Sequence, residues 1–131
     1  MGPHRADIVG ADGNVIELQH SSISSEEIRV REAFYFKLIW LLDGSSFEEN
    51  FLTRDHEDYV GFRWKHPRKC WLFAQRPLFI DFNGQILGVG ALREYEDEEE
   101  NWWGKMVPKT KVGGWGHWWT KEEFSQEFIS V

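Results

Sequence analysis

The sequence predicts one α+β domain, with a mixed central sheet flanked by helices. A short hairpin, a helical segment and a buried strand follow one another over residues 5–42, an order typical of a βαβ unit beside an antiparallel strand. Farther along, Asn83-Gly84 separates two apolar segments, which is a strong hairpin signal. A chain of 131 residues is long enough to bury one core without disulfides. We therefore expect a single domain over residues 1–131.

The first predicted element is a hairpin with strands over residues 5–9 and 15–20. Because side chains alternate between the faces of a strand, burying the apolar residues of both strands together requires Ile8 to face Ile16. That register sets Asp7 directly opposite Glu17 and requires a loop of three or five residues, whereas a two-residue turn would set Asp7 opposite Leu18. The apolar residues concerned are Ala6, Ile8, Ile16 and Leu18.

Two opposed carboxylates on this hairpin predict a metal site. Directly opposite residues of an antiparallel pair have Cβ atoms only ~4.5–5.5 Å apart, so ionised Asp7 and Glu17 would repel unless a cation intervenes. A hard ion that prefers oxygen ligands, such as Mg²⁺, resolves this conflict. The alternative is that both acids simply form a solvated strand surface.

Next come a helix and a buried strand. Ser24 and Glu27 have the spacing of a capping box and begin a helix that extends to about Tyr35. Residues 37–42 are nearly all apolar, as expected for a strand buried on both faces. Together with the second hairpin strand they predict a right-handed βαβ crossover.

The middle of the chain predicts a loop, a strand, a short helix and a second hairpin. Residues 43–58 are polar without periodicity and indicate a loop, and residues 59–64 alternate like a strand. His66-Pro67 is typical of a helix start, with Cys70, Trp71 and Ala74 forming its apolar face. Residues 78–82 and 85–89 are the strands that flank Asn83-Gly84.

The C-terminal third is predicted as an extension of a core that spans residues 1–92. The acidic run over residues 94–100 indicates a solvated loop, and residues 93–119 together form an acidic loop and a tryptophan-rich arm. This arm could stack exposed bases, or it could be an irregular segment that covers a sheet edge, which we favour. Thr120 with Glu123 is another capping box and begins a terminal helix over residues 120–131.

Composition limits the environment and the partners. No apolar run reaches the length of a membrane span and no signal peptide is evident, so we expect a cytoplasmic protein without membrane contact. The single cysteine, Cys70, is expected to be a small buried hydrophobe. The net charge of −7 opposes nucleic-acid binding, but residues 59–80 contain basic side chains and no acid. A basic surface can therefore exist within an acidic total.

The residues around this hairpin also resemble a known family. The segment HRADIVGADGNVIELQHSSIS, followed by EEIRVREAFY and KLIWLLD, resembles the nuclease domain of competence protein CoiA-like proteins. These belong to the PD-(D/E)XK superfamily with a restriction-endonuclease-like fold. The resemblance is densest over residues 4–43 and extends, more weakly, through WKHPRKCW and RPLFIDF to about Leu92. It departs from the superfamily in one respect, because only residues 1–4 precede the first strand where a core helix is expected.

This resemblance implies a nuclease that hydrolyses DNA with Mg²⁺ or Mn²⁺ during DNA processing or recombination. Asp7 matches the first metal-binding acid and Glu17 the second, and the carbonyl of Leu18 completes the ligand set. Gln19 stands where many superfamily members have a catalytic Lys, and it would orient the attacking water. The implied catalytic residues are thus Asp7, Glu17 and Gln19, and the implied metal ligands are Asp7, Glu17 and Leu18.

Several side chains are candidates for contact with DNA. The resemblance places Arg31 and Tyr35 on the active-site side of the helix, although Arg31 could instead pair with a nearby acid and Tyr35 could be core. His20 could contact the DNA backbone, but a polar cap at the strand end is favoured. Basic residues flank the predicted helix start at His66-Pro67, where backbone N–H groups favour phosphate, though core tryptophans on a surface helix also explain the pattern. These basic residues are Lys65, Arg68 and Lys69.

Two functions of other classes remain open. The first is a DNA-binding or recombination accessory module with an incomplete catalytic site. The second is a protein-interaction domain that uses the tryptophan-rich segment to bind a partner. The first predicts DNA retention without metal-dependent turnover, and the second predicts neither a metal site nor DNA binding.

Overall fold

A computed structural model describes residues 7–20, 23–65 and 68–130 of the chain. It confirms an α+β protein with a mixed sheet and flanking helices. No helix within these ranges is long and apolar enough to cross a membrane. The elements are β1 (Ile8–Val9), β2 (Val15–Gln19), α1 (Ser25–Phe34), β3 (Leu38–Asp43), β4 (Phe51–Asp55), β5 (Val60–Trp64), β6 (Leu78–Phe82), β7 (Gln85–Glu100), β8 (Met106–Thr120) and α2 (Lys121–Phe128). The described strands form one eight-stranded sheet in the order β1-β2-β3-β6-β7-β8-β5-β4.

The β1–β2 hairpin has the predicted register. Ile8 lies opposite Ile16 in an antiparallel pair. Gly10 donates its N–H to the carbonyl of Asn14 at 2.7 Å, and the paired strands are joined by a five-residue loop, as the predicted register requires. Residues 5 and 6 lie outside the described residues, so the predicted pairing of Ala6 cannot be compared.

The βαβ unit is confirmed. Strands β2 and β3 are parallel neighbours, and α1 connects them. The Ser24 hydroxyl accepts a hydrogen bond from the Glu27 N–H at 3.0 Å, which caps the first turn of α1 as predicted. Most of β3 is buried, as its apolar sequence indicates. This unit holds β2, and therefore Glu17, beneath α1.

The second hairpin is also confirmed. Strands β6 and β7 pair antiparallel on either side of Asn83-Gly84. Both turn residues have positive φ, 57° for Asn83 and 100° for Gly84, which a type I′ turn requires. The Gly84 N–H also donates to the Asp81 carboxylate at 2.8 Å. Asp81 therefore serves the turn.

The loop predicted over residues 43–58 is partly wrong. It contains two short 3₁₀ turns and then β4, which pairs antiparallel with β5. Phe51 is the only buried residue of β4, and its ring stacks on that of Phe62 at 4.9 Å. Because the rest of this edge strand is exposed, its sequence shows no apolar alternation.

The helix predicted from His66-Pro67 is also different. Residues 66 and 67 lie outside the described residues, and the segment that follows is a 3₁₀ helix over Lys69–Phe73. Trp71 is buried and packs edge-to-face on Trp40 at 5.0 Å, while Cys70 and Ala74 are partly buried against the same core. The apolar face is confirmed, but it lies on a shorter and tighter helix.

The acidic run over residues 94–100 is a strand, so its prediction as a solvated loop was wrong. Strand β7 continues through it and pairs with the basic first half of β8. Lys109 contacts Glu99 at 2.9 Å, and Lys111 contacts Asp97 at 3.3 Å. Cross-strand pairing of opposite charges stabilises a strand that is too charged to be buried.

The tryptophan-rich segment is likewise not an irregular arm. It forms β8, which lies inside the sheet between β7 and β5. Trp118 packs with the core on one face and Trp119 with the core on the other. At the turn between β7 and β8, however, Trp102 and Trp103 are 86% and 74% exposed.

The sheet separates two apolar cores. We call the side that faces α1 and the 3₁₀ helix face A, and the side that faces α2 face B. Trp40 and Trp64 belong to the core on face A, and Phe79 and Phe124 belong to the core on face B. Helix α2 begins with the predicted capping box of Thr120 and Glu123, and it covers the part of face B that contains β2, β3, β6 and the adjoining ends of β7 and β8, where Ile86 and Trp119 pack in the same core.

A one-residue irregularity in β7 changes which face of the sheet the following side chains occupy. The pairing with β8 shifts by one residue between Val89 and Ala91, so Gly90 forms a β-bulge. Before the bulge, Val89 packs against the core on face A. After it, Leu92 packs there instead, and Arg93 lies on face B.

We expect Gly114→Ala to destabilise the protein by about 2 kcal/mol, because overpacking of this kind typically costs 1–3 kcal/mol. A Cβ at Gly114 would overlap the carbonyl of Ala91 on the neighbouring strand. Gly61→Ala is the matched control in β5, since its nearest neighbour, His56 Nε2, would lie at an ordinary 3.5 Å. Urea unfolding measures both variants. Equal stability of the two variants would contradict the packing described for β8.

Candidate active site

The hairpin brings Asp7 beside the middle of β2. The register of Ile8 with Ile16, continued by one residue, sets Asp7 opposite Glu17 as predicted. The Asp7 carboxylate accepts a hydrogen bond from the Leu18 N–H at 2.8 Å. Asp7 is exposed, whereas the Glu17 side chain is 0% exposed. The two acids thus differ sharply in environment.

The burial of Glu17 excludes the interpretation that this acid is part of a solvated strand surface. Removing an ionised carboxylate from water costs several kcal/mol unless nearby groups compensate. Arg31 supplies a positive charge, with its Nη1 at 3.7 Å from a Glu17 oxygen. A buried carboxylate beside a guanidinium, one residue before the N–H that holds Asp7, makes this position a candidate functional site.

Arg31 joins α1 to β2. Its Nε donates to Glu27 at 3.0 Å, and its Nη1 donates to the Gln19 amide oxygen at 3.3 Å. Arg31 therefore does pair with a neighbouring acid, and it also reaches two residues of β2. Ile28, three residues before Arg31 on the same helix, is buried in the core on face A.

The charges of Glu17, Arg31 and Asp7 also act on Tyr35. Partial burial of the hydroxyl and then the negative charge of Glu17 raise the pKa of Tyr35, while the positive charge of Arg31 opposes the shift. Asp7 adds a smaller effect in the same direction as Glu17. The tyrosine hydroxyl is protonated at neutral pH even with its ordinary pKa near 10, so Tyr35 can act as a hydrogen-bond donor.

The oxygen atoms at this position suit a hard divalent cation. The N–H of Leu18 points toward Asp7, and in a strand the carbonyl of the same residue points to the same side. The Leu18 carbonyl therefore lies on the side of β2 where Asp7 is bound. Carboxylate and carbonyl oxygens are the ligands that Mg²⁺ prefers. Within the described ranges, no group of three or more His, Cys, Asp or Glu side chains is placed to hold a metal.

His20 contacts Asp43, a residue that sequence reasoning did not identify. His20 Nδ1 lies 3.4 Å from an Asp43 carboxylate oxygen, at the carboxyl ends of the parallel strands β2 and β3. Hydrogen bonds from the hydroxyl and the N–H of Ser45 hold the pKa of Asp43 below its usual value. The only sequence signal was the position of Asp43 at the end of a buried strand.

The predicted basic residues do not form one surface. Arg68 donates to the Ser46 hydroxyl at 3.1 Å, and its guanidinium lies over the Phe47 ring at 5.3 Å. Lys65 is exposed. The hydrogen bond and charge of Lys109 lower the pKa of Glu99 on the β7–β8 hairpin, and the charge of Lys65 adds a smaller effect in the same direction. Lys69 is exposed at the start of the 3₁₀ helix.

The tryptophans interleaved with these basic residues are core residues. Trp64 and Trp71 are both buried in the core on face A, so neither presents a ring to a nucleic acid. Cys70 is half-buried against the same core, and burial raises the pKa of its thiol. The expectation that Cys70 is a structural hydrophobe without nucleophilic character agrees with this environment.

Comparison with known proteins gives no relative. No protein-family model matches the chain, and neither the search of curated proteins nor the search of solved structures found a match. The function is therefore argued from the geometry of the residues themselves.

Proposed function

We propose that this protein is a metal-dependent nuclease with a CoiA-like, restriction-endonuclease-like core that hydrolyses phosphodiester bonds of DNA. The observation that carries the proposal is the exposed Asp7 carboxylate held by the Leu18 N–H at 2.8 Å, next to the fully buried Glu17 on β2. The βαβ unit of β2, α1 and β3 supports the same assignment, because it places Arg31 and Tyr35 over that pair. We also propose that the protein takes part in DNA processing or recombination.

Each residue has a role that follows from its position. Asp7, Glu17 and the Leu18 carbonyl would hold Mg²⁺ or Mn²⁺. When bound, the ion supplies Lewis-acid activation of the phosphate and of a water molecule. Gln19 has no charge, so it orients the attacking water through its amide. In addition to Gln19, the other candidates for substrate contact are Arg31, Tyr35, His20, Lys65, Arg68 and Lys69.

Arg31 and Tyr35 stabilise the phosphate in different ways. Arg31 carries a positive charge at the position where charge develops on the phosphate oxygens, and electrostatic stabilisation of this kind is a large catalytic effect. Tyr35 is a neutral phenol, so it donates a hydrogen bond, and its raised pKa keeps it a donor at higher pH. Both residues lie on α1 or at its end.

A second candidate function is a DNA-binding accessory module without turnover. One observation favours it, namely that Arg31 Nη1 already lies 3.7 Å from Glu17, where a positive charge competes with a metal ion. In this case DNA would be retained without cleavage.

A third candidate is a protein-interaction domain. Trp102 and Trp103 are exposed side by side at the tip of the β7–β8 hairpin, with ring centroids 4.7 Å apart. Exposed adjacent aromatic rings of this size are enriched at protein interfaces.

A nuclease assay distinguishes these candidates. We expect the wild-type protein to degrade single- or double-stranded DNA with Mn²⁺ or Mg²⁺ and not with EDTA, and Asp7→Ala to abolish the activity. Asp7 is exposed, so its replacement is expected to cost no more than about 1 kcal/mol of stability. If Asp7→Ala cleaves as fast as wild type, the nuclease assignment is wrong. Binding without cleavage by the wild-type protein would favour the accessory module.

A further inference from the structure

The part of face B that α2 does not cover carries a broad cleft. It lies on β7, β8, β5 and β4 and has a volume of about 900 Å³, within the range of ligand-binding clefts. Two cross-strand rows of residues face the cleft, and the Gly90 bulge sets the β7 member of each row on this face. One row is Arg54, Gly61, Trp115 and Ala91, and the neighbouring row is Leu52, Arg63, Gly113 and Arg93. We call this surface the arginine cleft.

The arginine cleft concentrates positive charge in a protein of net charge −7. Arg54, Arg63 and Arg93 all line it and are exposed. Within the described part of the chain, none of the three forms an ion pair with a carboxylate. Arg63 and Arg93 are separated by one strand, about 10 Å at the usual strand spacing, so they repel each other. An anionic ligand with several charges would relieve this repulsion.

The cleft also presents flat aromatic rings. Trp115 and Tyr59 line it and are 44% and 43% exposed. The Tyr59 ring stacks on that of His56 at 4.5 Å with an angle of 15° between the planes. A side chain at Gly90 would overlap the Trp115 ring, so the bulge glycine provides the space that this ring occupies.

Two glycines lie at the base of the cleft, where they add no side chains. Gly61 lies between Arg54 and Trp115, and Gly113 lies between Arg63 and Arg93. At Gly113 a Cβ would come within 2.8 Å of a backbone oxygen of β5, so no larger residue fits there. At Gly61 the absence of a side chain leaves space beside Trp115 for a planar group, whereas Gly113 is buried and lets the strands and the Tyr95 ring approach each other closely.

We propose that the arginine cleft binds single-stranded nucleic acid, with bases stacked on Trp115 and Tyr59 and phosphates bound by the three arginines. Arginine charges arranged around exposed rings on an open sheet are the features that recognise unpaired bases and a phosphate backbone. An acidic peptide would use the arginines but would gain little from flat rings. In a duplex the bases are already stacked on each other, so these rings would have no partner.

The proposed binding is independent of the candidate active site. Glu17 lies with α1 on face A near one edge of the sheet, whereas the arginine cleft lies on face B toward the opposite edge. Binding measured in EDTA therefore tests the cleft alone. Loss of nuclease activity in Asp7→Ala would leave it unchanged.

Fluorescence anisotropy of a labelled oligo(dT) of about 12 nucleotides in EDTA tests the proposal. We expect the full chain to bind oligo(dT) and oligo(rU) more tightly than a duplex of the same length. Trp115→Ala should weaken binding about tenfold, and Trp115→Phe should restore most of it. Arg63→Ala should weaken binding about fivefold and reduce the slope of log K against log salt by about 0.7.

Matched controls separate the cleft from general effects. Trp103→Ala removes an exposed tryptophan outside the cleft, and Arg29→Ala removes an exposed arginine from α1. Both should bind within about twofold of wild type, as expected for residues without contact. The proposal is overturned if no oligonucleotide binds, if Arg54, Arg63 and Arg93 can be replaced together without effect, or if a poly-glutamate peptide competes as well as oligo(dT).

Discussion

Glu17→Gln is expected to reduce metal-dependent cleavage by about 10²-fold or more while the protein remains folded. The substitution removes one of the two carboxylate charges proposed to bind the cation, and lost electrostatic stabilisation at a reacting phosphate has effects of this size. Glu17 is fully buried, so neutralising it also removes a desolvation cost. Its partner Arg31 keeps the contact with Glu27 at 3.0 Å, so the guanidinium is not left unpaired. Thermal unfolding should therefore change little.

Glu27→Gln is the matched control for this experiment. Both acids contact Arg31, but Glu27 belongs to α1 and Glu17 to β2. Loss of the surface pair in α1 should cost about 0.3–0.5 kcal/mol and leave cleavage within a few fold of wild type. Single-turnover cleavage rates and melting temperatures decide the result. Equal cleavage by Glu17→Gln and wild type would show that this carboxylate takes no part in the reaction.

Glu32→Ala is expected to destabilise the protein by about 3 kcal/mol. The buried Glu32 carboxylate accepts hydrogen bonds from the Trp40 indole at 2.9 Å and from the N–H groups of Gln75 and Arg76 at 3.0 and 3.1 Å. Removing it leaves the buried Trp40 indole N–H and two partly buried backbone N–H groups without their acceptor, and each unsatisfied buried donor costs about 1–3 kcal/mol. A loss of 3 kcal/mol corresponds to a fall in melting temperature of roughly 10 °C.

This effect also bears on function, because Glu32 ties α1 to β3 and to the segment before β6. Arg31, the residue just before Glu32, contacts Glu17 from the same helix. Cleavage by Glu32→Ala should therefore fall at temperatures below its unfolding transition. Arg29→Ala, at an exposed position of the same helix, should change stability by less than about 0.5 kcal/mol. If the two variants melt together, the carboxylate network does not anchor α1.

Much of the first half of the fold could be predicted because its signals are local. Alternation of apolar residues fixed the register of Ile8 with Ile16, and the cap at Ser24 marked the start of α1. Asn83-Gly84 defined its turn through the positive φ that each residue adopts. In each case the residues that determine the structure are close together in sequence.

The second half could not be predicted in this way because its stabilising contacts join distant residues. The acids of β7 are acceptable in a strand only when Lys109 and Lys111 lie across from them, which the sequence does not show before the register is known. The buried position of β8 depends on glycines such as Gly114 that let neighbouring strands approach. Composition alone therefore indicated a loop and an arm.

In the candidate site, too, the features that depend on local sequence could be predicted and those that join distant residues could not. The register of Ile8 with Ile16, which brings Asp7 to the middle of β2, follows from alternation on one hairpin, and it could be predicted. The contact of His20 with Asp43 depends on the parallel pairing of β2 with β3. The arginine cleft draws its three cations from three strands that are far apart in the chain, so no sequence window contains it.

The bulge at Gly90 determines which side chains of β7 are exposed. Without the bulge, regular alternation from Val89 through Gly90 would turn Leu92 toward solvent and Arg93 into the apolar interior. Because the bulge takes Gly90 out of the alternation, Leu92 packs in the core and Arg93 is left available to a ligand.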